Sequence, residues 1–369
     1  MTNSKTFGSF KSFLSSVLPS GARLSLLRRI VERTYHAPQL VFPRDIGSSQ
    51  RLLVILPGDP LVALHQLTCI VSLASYVKDA SIALLCERRV TPFFKTLSGI
   101  SDFIEYDDVE HFLFSPRFDK IGKEVHAGRY DVCLMLDPAP DLSLLYIAGQ
   151  SAAAVRVGLA GAGDYPFINL HVNPAPGTTF LTDKSVLVAA VLGVPVLAKA
   201  KWSVAKESVE EVGHMLREVN IDPASRLIGI DGPYFFGRFG KKWTQSLVDM
   251  LQAKQHLCYF FSYDQPAAEA SEWMERQGIP VFANLPVSRG AALVHKSKFV
   301  VAGAGVLFEL ADLLRTPVAG VFTEQEFDAL CKESDTTRGL RIASRPDNAT
   351  IESVERIVDA CVGRRLSDT

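Results

Sequence analysis

A glycine–aspartate pair near residue 58 holds the first side chain in the sequence that could do chemistry. Gly58 and Asp59 follow a short apolar run at 52–56, and Pro60 then opens a segment of helix-like composition. An aspartate at this place can cap the helix, because its carboxylate accepts hydrogen bonds from the first backbone N–H groups and proline suits the first helical position. The same carboxylate can act as a general base that takes a proton from an acceptor hydroxyl. The local pattern is compatible with both roles.

Two adjacent lysines form a second candidate site. Lys241 and Lys242 follow a stretch rich in glycine and aromatic residues at 232–240, interpreted as a loop, and they open a predicted helix. Positive charge is unfavourable at a helix N-terminus unless an anion such as a diphosphate binds there. Arg238, on the same predicted loop, is a further candidate. The alternative is a solvated basic loop without a ligand.

A glycine-rich turn is the third candidate. The turn Gly303-Ala304-Gly305 joins an apolar run to a predicted helix that starts at Val306. Glycines here expose backbone N–H groups at a helix N-terminus, which is a common phosphate-binding arrangement, although many such pairs are only tight turns. Glu309 lies one turn into the helix. It can accept hydrogen bonds from ribose or sugar hydroxyls, or it can simply complement the helix dipole.

The elements that must position these residues alternate regularly. From residue 52 onward, apolar runs of strand length alternate with segments of helix length, which predicts right-handed βαβ units and parallel sheets covered on both faces. The predicted strands are 52–56, 82–85, 132–136, 155–157, 227–230, 257–261, 280–282, 299–301 and 317–322. The predicted helices are 62–77, 141–153, 183–192, 204–219, 243–254, 267–277, 288–296, 305–315 and 350–362.

One break in the alternation, at 193–203, predicts the linker between two domains. The predicted organisation is a helical leader, two α/β domains and a final helix, at 1–50, 51–195, 196–345 and 346–369. In open parallel sheets, ligands bind outside the carboxyl ends of the strands. All three candidate sites follow predicted strands of this kind.

Several enzyme classes lack their sequence signature here. The first strand is not followed by G-x-G-x-x-G, which argues against a dehydrogenase, and neither a Walker loop nor the G-x-S-x-G elbow of serine hydrolases is present. The histidines do not have metal-ligand spacing, so neither a metal nor a cofactor is predicted.

Composition fits a globular protein of a reducing compartment. The net charge of −1 gives no reason to expect nucleic acid as a partner. The six cysteines lie far apart, several of them in apolar runs, and are predicted to be small core residues. No apolar stretch approaches the ~20 residues needed to cross a bilayer, and the N-terminus lacks the pattern of a secretory signal. The expected location is the cytoplasm.

The leader differs from the rest of the chain in charge. Residues 1–50 contain seven basic and two acidic side chains, a balance of +5. The stretch 8–18 places Phe10, Phe13, Leu14, Val17 and Leu18 on one helical face, and 22–34 is a second basic amphipathic stretch. Such segments can lie on an anionic membrane surface, which predicts a peripheral membrane contact through 8–34. The alternative is that the apolar face packs on the second domain of the same protein.

Taken together, these residues resemble glycosyltransferase family 9, the heptosyltransferases of lipopolysaccharide core assembly, from about residue 51 onward. The family's Gly-Asp pair is matched by Gly58-Asp59, and its Arg-x-Gly by Arg156-Val157-Gly158. Its Asp-rich turn before a helix resembles Asp137 through Leu145, and its Lys-x-Trp is matched by Lys241-Lys242-Trp243. The family's final motif corresponds to the stretch from Val300 to Ala311, followed by Pro317.

The resemblance implies a GT-B fold, in which two Rossmann-like domains face a cleft that binds a sugar nucleotide. It implies an inverting, metal-independent transfer from an ADP-sugar to a lipopolysaccharide-core or related glycan acceptor. In that mechanism Asp59 is the base. Gly58 is implied to bind the donor. Lys241 and Lys242 neutralise the leaving diphosphate, helped by backbone N–H groups at 304–306.

The final motif departs from the family at its polar positions. Ala304, Gly305, Val306 and Glu309 stand where the family has Asp, Thr, Gly and His. These changes support an alternative, a non-catalytic relative that binds a nucleotide, a glycan or a protein partner. A sugar-nucleotide epimerase is a third possibility, but its additional acid–base residues have no candidates in this sequence.

Overall fold

The computed structural model describes residues 20–34, 50–107, 115–159, 161, 164–196, 200, 202–225, 227–342 and 347–364. The chain divides into two compact units, residues 1–199 and 200–369. This division lies four residues after the boundary predicted at 195/196. Each unit contains one six-stranded sheet whose paired strands are all parallel.

Unit 1 has the sheet order β3-β2-β1-β4-β5-β6. Its strands are β1 (Arg51–Ile55), β2 (Ser81–Glu87), β3 (Ile100–Tyr106), β4 (Val132–Met135), β5 (Val155–Leu159) and β6 (Leu170–Val172). Its helices are α1 (Ser20–Thr34), α2 (Pro60–Leu64), α3 (Leu67–Tyr76), α4 (Pro116–Ala127), α5 (Leu142–Gln150) and α6 (Leu181–Ala190).

Unit 2 has the sheet order β12-β11-β10-β7-β8-β9. Its strands are β7 (Leu227–Ile230), β8 (Leu257–Ser262), β9 (Val281–Ala283), β10 (Phe299–Ala302), β11 (Val318–Thr323) and β12 (Thr337–Ile342). Its helices are α7 (Lys206–Glu218), α8 (Gly232–Phe239), α9 (Lys241–Ala253), α10 (Ala268–Arg276), α11 (Val287–Lys296), α12 (Val306–Leu313), α13 (Glu324–Leu330) and α14 (Asn348–Arg364).

The two sheets share one topology. In each unit the first strand lies beside the fourth, β1 beside β4 and β7 beside β10. The chain therefore winds outward in opposite directions from these two central strands, and the crevice between their carboxyl ends is the usual ligand position in such sheets. The central strands β4, β7 and β10 are buried along their whole length, as their continuous apolar sequences predict.

The elements absent from the sequence-based prediction lie mainly at sheet edges. Strands β3, β6 and β12 are edge strands, and their burial is mixed because polar residues interrupt the apolar ones. Such strands lack the continuous hydrophobic run that marks a buried strand. Helices α4 and α13 were not predicted either.

The stretch 232–240, predicted as a loop, is in fact the helix α8. Asp231 caps it, since its carboxylate accepts a hydrogen bond from the Tyr234 N–H at 3.4 Å, and Pro233 stands in the first turn. Gly240 ends the helix with φ of +82°, a conformation that favours glycine. The glycine content suggested a loop, but the Asp-Gly-Pro start and the terminal glycine are helix signals.

The described part of the leader is the helix α1, which matches the predicted stretch at 22–34. Leu27 is fully buried in the core of unit 1, and Leu24 packs against the same core. Helix α1 packs on the first domain, against α5. The alternative that the apolar face at 8–18 packs on the second domain stays a prediction. The stretch 8–18 lies outside the described residues. Among the helices described, none is both long and apolar enough to span a membrane.

Candidate functional site

The predicted base Asp59 lies at the carboxyl end of β1, where β1 borders β4. Its Oδ1 accepts hydrogen bonds from the N–H groups of Leu61 at 2.8 Å and Val62 at 3.1 Å, which makes it the N-cap of α2. The predicted capping role is thereby confirmed. The residue is exposed, and Oδ2 takes no part in the cap. Its role as a base stays a prediction.

Other acidic side chains share this edge of unit 1, and no role at a site was predicted for them. Asp137 follows β4 and Asp141 caps α5. Burial raises the pKa of Asp137, although the Ala139 N–H lowers it, and the nearby charges of Asp141 and Asp59 raise it again. The sequence signal was available, because Asp137 also directly follows a predicted strand.

In unit 2 the structure brings Asp231, at the end of β7, to the predicted glycine-rich turn. A Cβ added at Gly305 would lie 3.1 Å from Asp231 Oδ2, so the carboxylate lies at the N-terminus of α12. The backbone N–H of Gly303 also donates to this carboxylate. Burial raises the pKa of Asp231 to about 7, despite the N–H groups of Tyr234 and Gly303, which lower it. A side chain of the protein therefore occupies the position expected for a ligand anion.

Tyr234 closes the same turn from α8. Its ring lies against Gly303 so closely that any side chain at 303 would collide with it. The backbone of Ala304 hydrogen-bonds the Tyr234 hydroxyl, which also lies 3.4 Å from both carboxylate oxygens of Glu326. The backbone N–H groups of Gly303 and Ala304 could hold a phosphate, but they already bind Asp231 and Tyr234. These contacts form because β7 lies beside β10. The local sequence does not predict which strands are neighbours.

The other predicted donor residues are spread over unit 2. Lys241 and Lys242 are exposed in the first turn of α9. Within the described residues, neither lysine makes a hydrogen bond or ion pair with the turn at 303–305. Glu309 is 3% exposed, so its carboxylate lies inside the unit. Its proposed contact with sugar hydroxyls stays a prediction.

Two residues of the sequence motifs have clear packing roles. Arg156 is buried, and its guanidinium donates hydrogen bonds to the backbone carbonyls of Phe167, Ala153 and Pro166 at 2.7–2.9 Å. It thereby holds the segment between β5 and β6. Trp243 is 7% exposed and packs against two phenylalanine rings of α8, with centroids 5.1–5.3 Å apart.

Residues that could bind a metal do not assemble in the described part of the chain. No group of three or more His, Cys, Asp or Glu side chains there has a geometry that could hold a metal ion. Five cysteines are buried free thiols, as predicted for core residues, at positions Cys69, Cys86, Cys133, Cys258 and Cys331. Burial raises the pKa of the Cys69 thiol to about 12, which keeps it protonated and unreactive.

Solved structures with a similar fold include glycosyltransferases. A glycosyl transferase of family 9 from Veillonella parvula matches with a TM-score of 0.72 and 13% identity, over 89% of this chain and 100% of that one. ADP-heptose LPS heptosyltransferase II from E. coli matches with a TM-score of 0.68 and 14% identity, over 86% and 99% of the two chains. E. coli heptosyltransferase WaaC, solved with ADP-2-deoxy-2-fluoro heptose, matches with a TM-score of 0.63 and 13% identity, over 84% and 99%.

No protein-family model and no curated protein sequence matches this chain. At 13–14% identity, the likeness to the solved structures is a likeness of fold. The predicted fold class, α/β with two Rossmann-like parallel-sheet domains of the GT-B type, is confirmed. The resemblance of this chain to glycosyltransferase family 9 is confirmed at the level of the fold.

Proposed function

We propose that this protein is a glycosyltransferase that transfers a sugar from a sugar nucleotide to a glycan hydroxyl. The observation that carries the proposal is the position of Asp59, at the central strand end of a fold shared with heptosyltransferases. The helix cap fixes one carboxylate oxygen and leaves the other exposed. This arrangement suits a general base, because the free oxygen is held in place without being used.

In the proposed reaction, Asp59 takes the proton of the acceptor hydroxyl. The acceptor oxygen forms a bond to the anomeric carbon as the bond from that carbon to the diphosphate oxygen breaks, with inversion. Unit 2 binds the leaving nucleoside diphosphate, whose charge is neutralised by Lys241, Lys242 and the N-terminus of α12. No metal takes part. ADP is the proposed nucleotide, since E. coli heptosyltransferase WaaC, whose fold is similar, was solved with ADP and with ADP-2-deoxy-2-fluoro heptose.

The second candidate function is a non-catalytic relative that binds a glycan or protein. The observation that favours it is the occupation of the predicted phosphate position by Asp231 and Tyr234. The two functions differ in one property, because only the glycosyltransferase needs to bind a nucleoside diphosphate. Calorimetric titration with ADP, UDP and their sugar derivatives tests this. Binding of none of them at millimolar concentration would favour the second candidate.

Substitutions in the donor site should affect binding of the bare nucleoside diphosphate and of the complete sugar nucleotide differently. We expect Lys241→Ala to weaken binding of the bare nucleoside diphosphate about tenfold, because an exposed ammonium contributes mainly by its charge. Glu309→Ala should weaken only the complete sugar nucleotide or neither ligand, since an ionised carboxylate accepts hydrogen bonds from hydroxyls and repels phosphate. Lys206→Ala, at the exposed first residue of α7, is the matched control. Equal losses of diphosphate binding in all three variants would contradict this assignment.

Membrane association through the leader is proposed for residues 8–18 only. The face of α1 that holds Leu27 packs on unit 1, so it does not offer its apolar residues to a lipid surface. A truncation that begins at Ser20 keeps α1 and removes the basic amphipathic stretch before it. We expect the full chain to sediment with vesicles that contain anionic lipid, and the truncated chain to sediment less. Equal sedimentation of the two would exclude a role of this stretch in membrane binding.

A further inference from the structure

A cavity of about 310 Å³ lies between β12 and α14, at the amino-terminal edge of the unit 2 sheet. Arg338 and Leu340 line it from β12, where residues two apart lie on the same face of the strand. Asp335, which also lines it, precedes β12, so the cavity lies at the edge opposite to the carboxyl ends of the strands. Its volume is within the range of small-molecule sites, which starts at ~300 Å³. The cavity is therefore separate from the turn at 303–305.

Helix α14 forms the other wall of the cavity with residues that share one helical face. They stand at positions i, i+3, i+4 and i+7 and are Ser353, Arg356, Ile357 and Ala360. Leu340 and Ile357 are half-buried and pack against the core of unit 2. The cavity thus has an apolar floor and one guanidinium group on each of its two walls.

Neither guanidinium group forms an ion pair with a carboxylate of the described residues. Arg338 donates from Nη1 to the Ser334 carbonyl at 2.7 Å, and its Nε and Nη2 donate to none of the residues that the structure describes. Arg356 has Glu352 one turn before it, at the spacing that favours ion pairs in helices. Its Nε and Nη2 donate instead to the Glu352 backbone carbonyl at 3.4 Å and to the hydroxyl of Ser353, which lines the cavity, at 2.9 Å. Both groups keep N–H donors for a further acceptor.

Other contacts hold α14 in place. Its contact with the core of unit 2 is made by three buried apolar residues, Ile351, Val354 and Val358. Lys254 of α9 also binds two carboxylates of α14, those of Glu355 at 2.8 Å and Asp359 at 2.6 Å. The helix is therefore fastened without the two arginines of the cavity, and a structural role does not explain their unused donors.

The lining of the cavity selects a ligand with one negative charge and an apolar part. A guanidinium group binds a carboxylate through charge-assisted hydrogen bonds, often two at once. The charges of the two arginines (+2) and Asp335 (−1) sum to +1, so one carboxylate balances the lining. A second negative charge on the ligand would be repelled by Asp335. An alkyl group of the ligand would leave water on the floor formed by Leu340 and Ile357, which favours binding.

We propose that the cavity between β12 and α14 is a binding site for a small amphipathic monocarboxylate, with Arg338 and Arg356 on the carboxylate and Leu340 and Ile357 on the apolar group. This is a second site of unit 2, at the edge of the sheet opposite to the predicted donor site. It is compatible with a glycosyltransferase and with a non-catalytic relative, so it does not depend on the proposed function.

The test is calorimetric titration of the full chain at neutral pH with hexanoate, butanoate, hexanol and hexyl phosphate. Hexanoate should bind about fourfold or more tightly than butanoate, because it buries more apolar surface. It should bind at least about tenfold more tightly than hexanol, which lacks the charge, and more tightly than the doubly charged hexyl phosphate. No binding of hexanoate at millimolar concentration, equal affinities for hexanoate and hexanol, or tighter binding of hexyl phosphate would overturn the proposal.

Single substitutions locate the ligand in the cavity. Arg338→Gln and Arg356→Gln should each weaken hexanoate binding at least about tenfold, because a charge-assisted hydrogen bond is lost. Ala360→Asp, at an exposed position of the cavity wall, should weaken it similarly by repulsion, while the hydrogen bonds of both arginines stay intact. Hexanoate should raise the melting temperature of the wild type more than that of these variants, since binding stabilises the folded state.

Two further variants test the charge of the site. Asp335→Asn should strengthen the binding of hexyl phosphate relative to hexanoate, because the repelling carboxylate is removed. Arg276→Gln is the matched control, since it removes an exposed arginine of α10 that pairs with Glu272, and it should bind hexanoate as the wild type does. Hexanoate binding that is unchanged in Ala360→Asp or in both cavity arginine variants would place the ligand elsewhere and overturn the proposal. An equal loss of binding in Arg276→Gln would show an unspecific effect of net charge and would overturn it as well.

Discussion

Replacement of Asp59 by asparagine should lower turnover about 10²-fold or more while folding and donor binding stay unchanged. Asparagine caps helices as well as aspartate does, so its side-chain oxygen can keep the hydrogen bonds from Leu61 and Val62 that begin α2. What the variant loses is the oxygen able to take a proton. The measurement is the initial rate of sugar transfer at saturating donor, together with calorimetry of nucleotide binding.

Two further variants separate chemistry from stability. Asp59→Ala should lose the base and the cap, and unfold with about 1 kcal/mol less free energy. Asp222→Asn changes an exposed aspartate whose Oδ1 accepts a single backbone N–H from Ala224 at 3.0 Å, and it should retain full activity. Unimpaired turnover in Asp59→Asn would remove Asp59 from the mechanism and leave it as a helix cap.

The fold could be predicted from the sequence wherever burial is continuous. Strands such as β1, β4 and β10 are buried on both faces and appear as short apolar runs between segments of helix length. The same rule misses β3 and β12, since one side of an edge strand borders solvent and its sequence is mixed. Helix α8 was missed for a different reason. Its glycines and aromatic residues suggested a loop, and the helix depends on Asp231 and Pro233 at its start.

Only those residues of the candidate site that are adjacent in sequence could be predicted. Asp59 could be assigned from a strand, a glycine and a proline that are adjacent in sequence. The contact of Asp231 with Gly305 links residues 74 positions apart, and it exists because β7 lies beside β10. Residues brought together by strand order need the sheet topology before their chemistry can be recognised.

The protonation of Asp231 should control diphosphate binding to unit 2. The buried carboxylate lies at the N-terminus of α12, and its pKa is raised to about 7. Below this pH the protonated group is neutral and can donate a hydrogen bond to phosphate, whereas above it the carboxylate repels a diphosphate. We therefore expect wild-type protein to bind ADP more tightly at about pH 6 than at about pH 8. Asp231→Asn should bind at least about tenfold more tightly than wild type at about pH 8.

The comparison with the variant is essential, because the diphosphate itself also titrates near neutral pH. That contribution is the same in wild type and Asp231→Asn, so the difference between their pH profiles belongs to Asp231. Asp222→Asn, which changes an exposed aspartate of the same unit, should follow the wild-type profile. Coincident profiles for wild type and Asp231→Asn would show that no anion binds beside Asp231.

The pH dependence of the unfolding free energy is a second test of the raised pKa of Asp231. A carboxyl whose pKa is raised in the folded state stabilises the fold fully below its unfolded pKa of 3.8, and this stabilisation is lost as the pH rises through about 7. Across that window wild-type unit 2 should lose up to about 4 kcal/mol of unfolding free energy, and Asp231→Asn should lose much less. If the variant shows this smaller loss and still fails to bind ADP at either pH, the buried carboxylate has a structural role. The donor site would then be absent from this chain, and the non-catalytic function would replace the transferase.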